Sequence, residues 1–234
     1  MTEARANAPL IPEGSLMARL VAAAADDWRA YVAHDFVRQL GRGTLPEACF
    51  RHYLGQDYLF LIHFARAYAL AIYKSESLAD MRQAAGIVSG LLDVEMRLHV
   101  EFCAGWGLDE AAMEALPEAT AAMAYTRYVL EKGLAGDALD LYAALAPCVV
   151  GYGEIGRRLA AEQAATLEAN PYRGWIEMYA GAEYREVAAG AVAQLERLGA
   201  LRLTEARFPA LARTFAQATR LEAAFWRMGL GLEA

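Results

Sequence analysis

Along most of the chain apolar positions recur every three or four residues rather than every two, and Ala, Leu, Glu and Arg dominate, so the sequence predicts an all-α protein. A first helix opens at Ser15, a suitable N-cap, and turns Leu16, Leu20, Val21, Trp28, Tyr31 and Val32 inward until Gly41 and Gly43 interrupt it. Thr44 and Pro46 start a second, about Pro46 to Lys74, where proline in the first turn loses nothing by lacking an N–H. Ser77 caps a third, about Leu78 to Cys103, with Ile87, Leu91, Leu92, Val94 and Met96 as its apolar face and Gly105 and Gly107 at its end. A short segment near Asp109 to Leu116 leads to Pro117, which begins a helix carrying Tyr125-Thr126-Arg127-Tyr128. Asp137 caps a long helix to about Leu167, and Asn170-Pro171 marks the break after it. Next come a short aromatic piece from Pro171 to Tyr179 and a helix from about Ala182 to Leu198, closed by Gly199. The last helix, about Thr204 to Gly229, has Phe208, Leu211, Phe215, Leu221, Phe225 and Trp226 as its core face. With no internal repeat or long linker, the expected organisation is a loose segment over 1–13 and a single helical domain over 14–234.

Three polar residues sit oddly on this pattern. Cys148 follows Pro147 inside an apolar run; a proline there withholds an N–H from the carbonyl one turn back and crowds it, which predicts a kink. Cys148, Tyr152 and Ile155 then share a face, so a thiol and a phenol look into the same space, read as a small-molecule pocket. Asp57 lies among aromatics, with Phe60 and Phe64 on its stripe, and a carboxylate in such a place must find donors or a ligand. Glu222 stands beside Phe225-Trp226 and reads equally well as a surface acid or a buried one. Tyr125, Tyr128, Tyr152 and Tyr179 are singly ordinary core residues, but together they make an aromatic box. His63 and His99 read most simply as core histidines, with a metal or haem role open, and Cys49 and Cys103 as packing residues.

Composition narrows the partners. A net charge of -7 and the lack of a Lys/Arg cluster interleaved with aromatics speak against nucleic acid. Three cysteines at wide spacing form neither a zinc motif nor a disulfide scaffold, which fits a reducing cytosol. The first ten residues lack the apolar core of a signal peptide, and apolar runs such as 141–153 are too short for the ~20 residues a bilayer requires, so no membrane association is expected.

Gln56-Asp57-Tyr58 with Phe60, Tyr125-Thr126-Arg127-Tyr128, Pro147-Cys148-x-x-x-Tyr152-x-Glu154-Ile155-Gly156, Trp175-Ile176-x-x-Tyr179 and Glu222-x-x-Phe225-Trp226 occur in one order over nearly the whole chain. In this set the chain resembles the TenA family of thiaminase II. The resemblance implies a haem-oxygenase-like fold, a homo-oligomer that is commonly a tetramer, and a hydrolase of thiamine salvage needing no cofactor or metal. Its substrate would be 4-amino-5-aminomethyl-2-methylpyrimidine, or thiamine, cleaved at the C–N bond of the pyrimidine methylene to give the hydroxymethylpyrimidine. By the same resemblance Cys148 falls on the nucleophile and Glu222 on the acid/base glutamate, Asp57 binds the aminopyrimidine, and Phe60, Tyr125, Tyr152 and Tyr179 contact the ring. Phe60 stands where some members carry tyrosine, Val149-Val150-Gly151 is small where members are bulky, and His34-Asp35 replaces a His-Pro step. Two other readings stay open: a redox enzyme of the same fold, either di-iron or a cofactor-maturing oxidase, and a non-catalytic pyrimidine-binding regulatory protein. A ferritin-like di-iron site wants two Glu-x-x-His motifs, and the nearest approach is Glu95 and His99, four apart.

Overall fold

The computed structural model describes residues 9–233; residues 1–8 of the segment expected to be loose lie outside them. Among the described residues there is no strand. The helices are α1 (Leu16–Ala23), α2 (Ala25–Val32), α3 (Asp35–Gly41), α4 (Glu47–Lys74), α5 (Leu78–Gly90), a π turn (Leu91–Glu95), α6 (Met96–Ala104) and α7 (Glu110–Glu114). Then follow α8 (Thr120–Ala135), α9 (Ala138–Glu162), a 3₁₀ turn (Leu167–Ala169), α10 (Arg173–Ala180), α11 (Ala182–Arg202) and α12 (Phe208–Gly231). The described chain forms two compact units, one of residues 9–45 with 142–223, the other of 46–141 with 224–233.

In the first unit the helix expected from Ser15 onward is three helices. Its phase breaks at Ala24 (φ -119°, ψ 29°) and again at Ala33, after which His34 Nδ1 accepts the Phe36 N–H at 3.2 Å and caps α3. Ser15 does cap α1, and the Glu196 carboxylate takes the Leu16 and Met17 N–H groups at 2.9 and 3.0 Å, so α11 supplies the acceptors that α1 lacks at its start. Gly199, expected to close α11, lies inside it: a Cβ there would stand 2.6 Å from Leu16 Cδ2. The glycine serves close packing against α1 instead of ending the helix.

α9 continues through Pro147 without a break. At 25 residues it has the length to cross a bilayer, but 83% of its most apolar window is buried within the protein, as in a core helix. Asp137 caps it as expected, taking the Leu139 N–H at 2.9 Å, and it ends at Glu162, earlier than the sequence pattern suggests. At Gly151 any Cβ would collide with the Tyr31 ring, and the Tyr31 hydroxyl donates to the Pro147 carbonyl at 3.4 Å. The small residue of the Val149-Val150-Gly151 departure is thus matched by a large one on α2.

In the second unit α4 is the axle, packed against α5, α6, α7 and α8. Its bounds follow the sequence expectation, with Pro46 at its N-cap. The third expected helix is interrupted by the π turn, and this corrects its apolar face: Leu91 and Met96 are buried, whereas Leu92 and Val94 are each 49% exposed. The wider turn inserts one residue, so the inward series becomes Leu91, Met96, His99, Cys103 instead of following Leu91 by four and seven. Pro117 does not begin α8, which starts at Thr120. The preceding stretch is clamped by buried Gln56, whose Nε2 donates to the Pro117 carbonyl at 3.0 Å and whose Oε1 accepts the Ala119 N–H at 2.8 Å.

Candidate functional site

The first unit holds Cys148, Tyr152, Tyr179 and Glu222. Cys148 is half-buried on the turn of α9 that follows Pro147. One turn on, the Tyr152 ring meets Tyr179 at 4.8 Å, and Trp175 lies 4.6 Å from Tyr179 and 5.8 Å from Tyr152 between centroids. Tyr179 also meets Tyr184 edge-on at 4.7 Å, and the Tyr184 hydroxyl donates to the Val149 carbonyl at 3.2 Å. Gly156 makes this cluster possible: a Cβ there would stand 2.5 Å from the Tyr179 carbonyl carbon and 2.8 Å from the Ala180 nitrogen, so only glycine lets α10 come this near.

Glu222 is 2% exposed. It occupies the same stripe of α12 as Phe215 and Thr219, which settles the choice left by the sequence in favour of a buried acid. Glu154, two residues beyond Tyr152, is a different carboxyl: burial pushes its pKa up, against the Trp28 Nε1–H bond at 3.2 Å and the charges of Arg158 and Arg157, which lower it. It borders a surface cleft of about 550 Å³ walled by Leu10, Ile11, Arg157 and Arg158, and none of the expected site residues lines that cleft.

The second unit holds Asp57, Phe60 and Tyr125. Phe60 packs against Phe64 and Tyr125, both at 5.1 Å, and against Phe225 at 5.7 Å. The aromatic stripe expected on α4 is therefore present and continues onto Tyr53, 5.2 Å from Trp226. On α8, Lys132 Nζ stands 5.2 Å above the Tyr128 ring. Asp57, 4% exposed, finds the donors that its burial demands: Tyr53 donates from 3.1 Å and His99 Nε2 lies at 2.7 Å, both on Oδ2. The sequence reads His99 most simply as a core histidine, with a metal or haem role open, and does not pair it with Asp57. Asp57's need for a donor was the available signal, but the partner lies 42 residues on and beyond a π turn that periodicity does not foresee.

Burial pulls the His99 pKa down, yet the hydrogen bond and charge of Asp57, joined by the charge and carbonyl of Glu95, outweigh it and hold the imidazole above its ordinary range. His63 behaves oppositely. It is half-buried beside Arg127 and Arg66, which add to burial in lowering its pKa, while Arg127 makes a two-pronged pair with Glu118 at 2.6 and 2.7 Å. Cys49 and Cys103 pack in the core, where burial pushes both thiols up, and Cys49 Sγ donates to the Leu230 carbonyl at 3.3 Å. Among the described residues no three His, Cys, Asp or Glu side chains gather as metal ligands.

Comparison with known proteins identifies the family and its fold. A solved structure from Silicibacter sp., described as a TenA family transcription regulator, superposes with a TM-score of 0.88 at 46% identity over 94% of this chain and 98% of its own. An uncharacterized protein of Haemophilus influenzae is 39% identical over 93% of this chain and all of its own length. An aminopyrimidine aminohydrolase of Halalkalibacterium halodurans is 35% identical over 92% of this chain and 95% of its own. The haem-oxygenase-like all-α fold is the one this chain shares with TenA structures such as that from Silicibacter. Residues 21–232 match the profile of the TENA/THI-4/PQQC family, and the chain belongs to that family, in its TenA branch.

Proposed function

We propose that this protein is a hydrolase of the thiaminase II type, working in thiamine salvage on 4-amino-5-aminomethyl-2-methylpyrimidine. The observation that carries the reading is the near full-length likeness to the Halalkalibacterium aminohydrolase. The burial of Glu222 supports it, because desolvated acids are gathered at active sites, where proton transfer needs them. In the proposed reaction the Cys148 thiolate adds to the pyrimidine ring, which lets the amine leave from the methylene carbon as Glu222 gives it a proton. Glu222 then takes a proton from water, water oxygen bonds to the methylene, and the thiolate departs, so that amine plus water give alcohol plus ammonia. Asp57 accepts a hydrogen bond from the ring amino group; Tyr152 and Tyr179, and Phe60 with Tyr125, supply aromatic contacts. The workplace in this reading is a reducing cytosol and the assembly a homotetramer, a state that light scattering measures.

The test is direct. Purified protein incubated with the aminomethylpyrimidine or with thiamine is followed for the hydroxymethylpyrimidine by chromatography; faster release from the aminomethylpyrimidine is expected, and release from neither refutes the reading. The description of the Silicibacter relative as a regulator favours a second reading, in which a bound pyrimidine is sensed and not cleaved. The net charge of -7 weighs against direct DNA contact. Calorimetric binding of the hydroxymethylpyrimidine with no turnover of either substrate is the outcome that reading requires.

A further inference from the structure

His99 and Asp57 form a closed pair in the second unit, 3% and 4% exposed, joined by a contact of 2.7 Å in the range of charge-assisted bonds. The other ring nitrogen, Nδ1, lies 2.9 Å from the Glu95 carbonyl oxygen, which has no proton to give, so Nδ1 carries hydrogen. A second proton is then shared along Nε2 and Oδ2. Imidazoles are ordinarily more basic than carboxylates by roughly 2.6 pK units, which sets that proton on the ring. Tyr53 adds to this by donating to the same Oδ2 from 3.1 Å, a bond that a charged oxygen strengthens. Both donors end on Oδ2, and among the described residues none donates to Oδ1.

The backbone is shaped to make this contact. Without the π turn, helical phase from Leu91 would bring residue 95 inward where Met96 now lies, and His99 would drift off the buried stripe. The extra residue costs ideal helix geometry and exposes Leu92 and Val94, and it aligns His99 with Asp57 on α4.

We propose that His99 is a positioning residue for the reaction: as an imidazolium it holds Asp57 as a carboxylate, with Oδ2 occupied and Oδ1 kept as an acceptor for the 4-amino group of the pyrimidine. This rests on the reading of Asp57 as the aminopyrimidine contact and adds a specificity to it. An oxygen that can only accept takes an amino donor and rejects a 4-oxo ring, whose carbonyl brings a second acceptor to the same place.

The experiment compares wild type, His99→Leu, His99→Gln and Asp57→Asn. Each is titrated calorimetrically with 4-amino-5-hydroxymethyl-2-methylpyrimidine and with its 4-oxo analogue. In His99→Leu the amino compound should bind about 10- to 100-fold more weakly and the amino-over-oxo preference should fall with it. In His99→Gln, whose amide keeps an N–H donor, part of that preference should return. The ¹⁵N spectrum of wild type should show one of the four histidines doubly protonated at neutral pH, a signal absent from His99→Gln. A folded His99→Leu protein with wild-type preference overturns the proposal, as does a wild-type His99 signal of the neutral ring. Should His99→Leu not fold, the glutamine variant and the wild-type spectrum decide. If Asp57→Asn also keeps wild-type preference, the reading of Asp57 fails; if Asp57→Asn loses it while His99→Leu keeps it, only the role of His99 fails.

Discussion

Adding one methyl group at Gly156 tests whether the closeness of α9 and α10 is what builds the Tyr152–Tyr179 cluster. An alanine Cβ there would lie 2.5, 2.7 and 2.8 Å from the Tyr179 carbonyl carbon, the Tyr179 Cβ and the Ala180 nitrogen. Ordinary carbon contacts are about 3.5–4.0 Å, so α10 must retreat by roughly 1 Å. Two of the three atoms are backbone, and no rotamer change relieves them. Helix propensity favours alanine over glycine by about 1 kcal/mol, while overpacking of this kind costs about 1–3 kcal/mol and lies at its upper end when backbone is struck. The net expectation for Gly156→Ala is a loss of about 1–2 kcal/mol, or roughly 2–8 °C in Tm at this chain length. Gly86→Ala is the control: Gly86 is an exposed residue of α5 with nothing within 4 Å of an added Cβ, and it should gain up to about 1 kcal/mol. Thermal melts followed by circular dichroism read both. Opposite signs support the argument; a Gly156→Ala protein as stable as wild type, beside a stabilised Gly86→Ala protein, refutes it.

Two further changes probe the polar interior. Gln56→Leu leaves the Ala119 N–H and the Pro117 carbonyl without their partner, and since Ala119 is 1% exposed a loss of about 2–4 kcal/mol is expected by urea unfolding; a change below about 0.5 kcal/mol means that water or a neighbour replaces the clamp. For Glu154 the folded pKa is raised, so its favourable share is present below its ordinary value of 4.5 and is lost as pH rises through the raised one. Glu154→Gln, which keeps an acceptor for Trp28, should therefore match wild type in melts near pH 4 and equal or exceed it at pH 7; a variant that falls behind only at pH 7 contradicts the sign.

Sequence periodicity carried α4 almost to its last residue, because Pro46 marks its start and its apolar stripe is unbroken. Asp137 was equally plain as the cap of α9. What periodicity could not carry were contacts made by absence or by insertion. Gly199 looks like a helix stop, yet its missing side chain serves Leu16 on a distant helix. Leu92 and Val94 look buried because nothing in their spacing announces the π turn. For the site, single oddities such as Asp57 and Glu222 were visible as polar groups in apolar stripes. The partner of Asp57 was not, nor was the Gln56 clamp, since both join residues 42 and more apart whose pairing depends on how helices pack.

The proposed reaction stands or falls with the thiol of Cys148. Ammonia release from 4-amino-5-aminomethyl-2-methylpyrimidine, measured for wild type and for Cys148→Ala under one set of conditions, tests it most directly. Steady release by wild type is expected, with a fall of at least ~10³-fold in a variant that melts like wild type. Undiminished release by Cys148→Ala contradicts it.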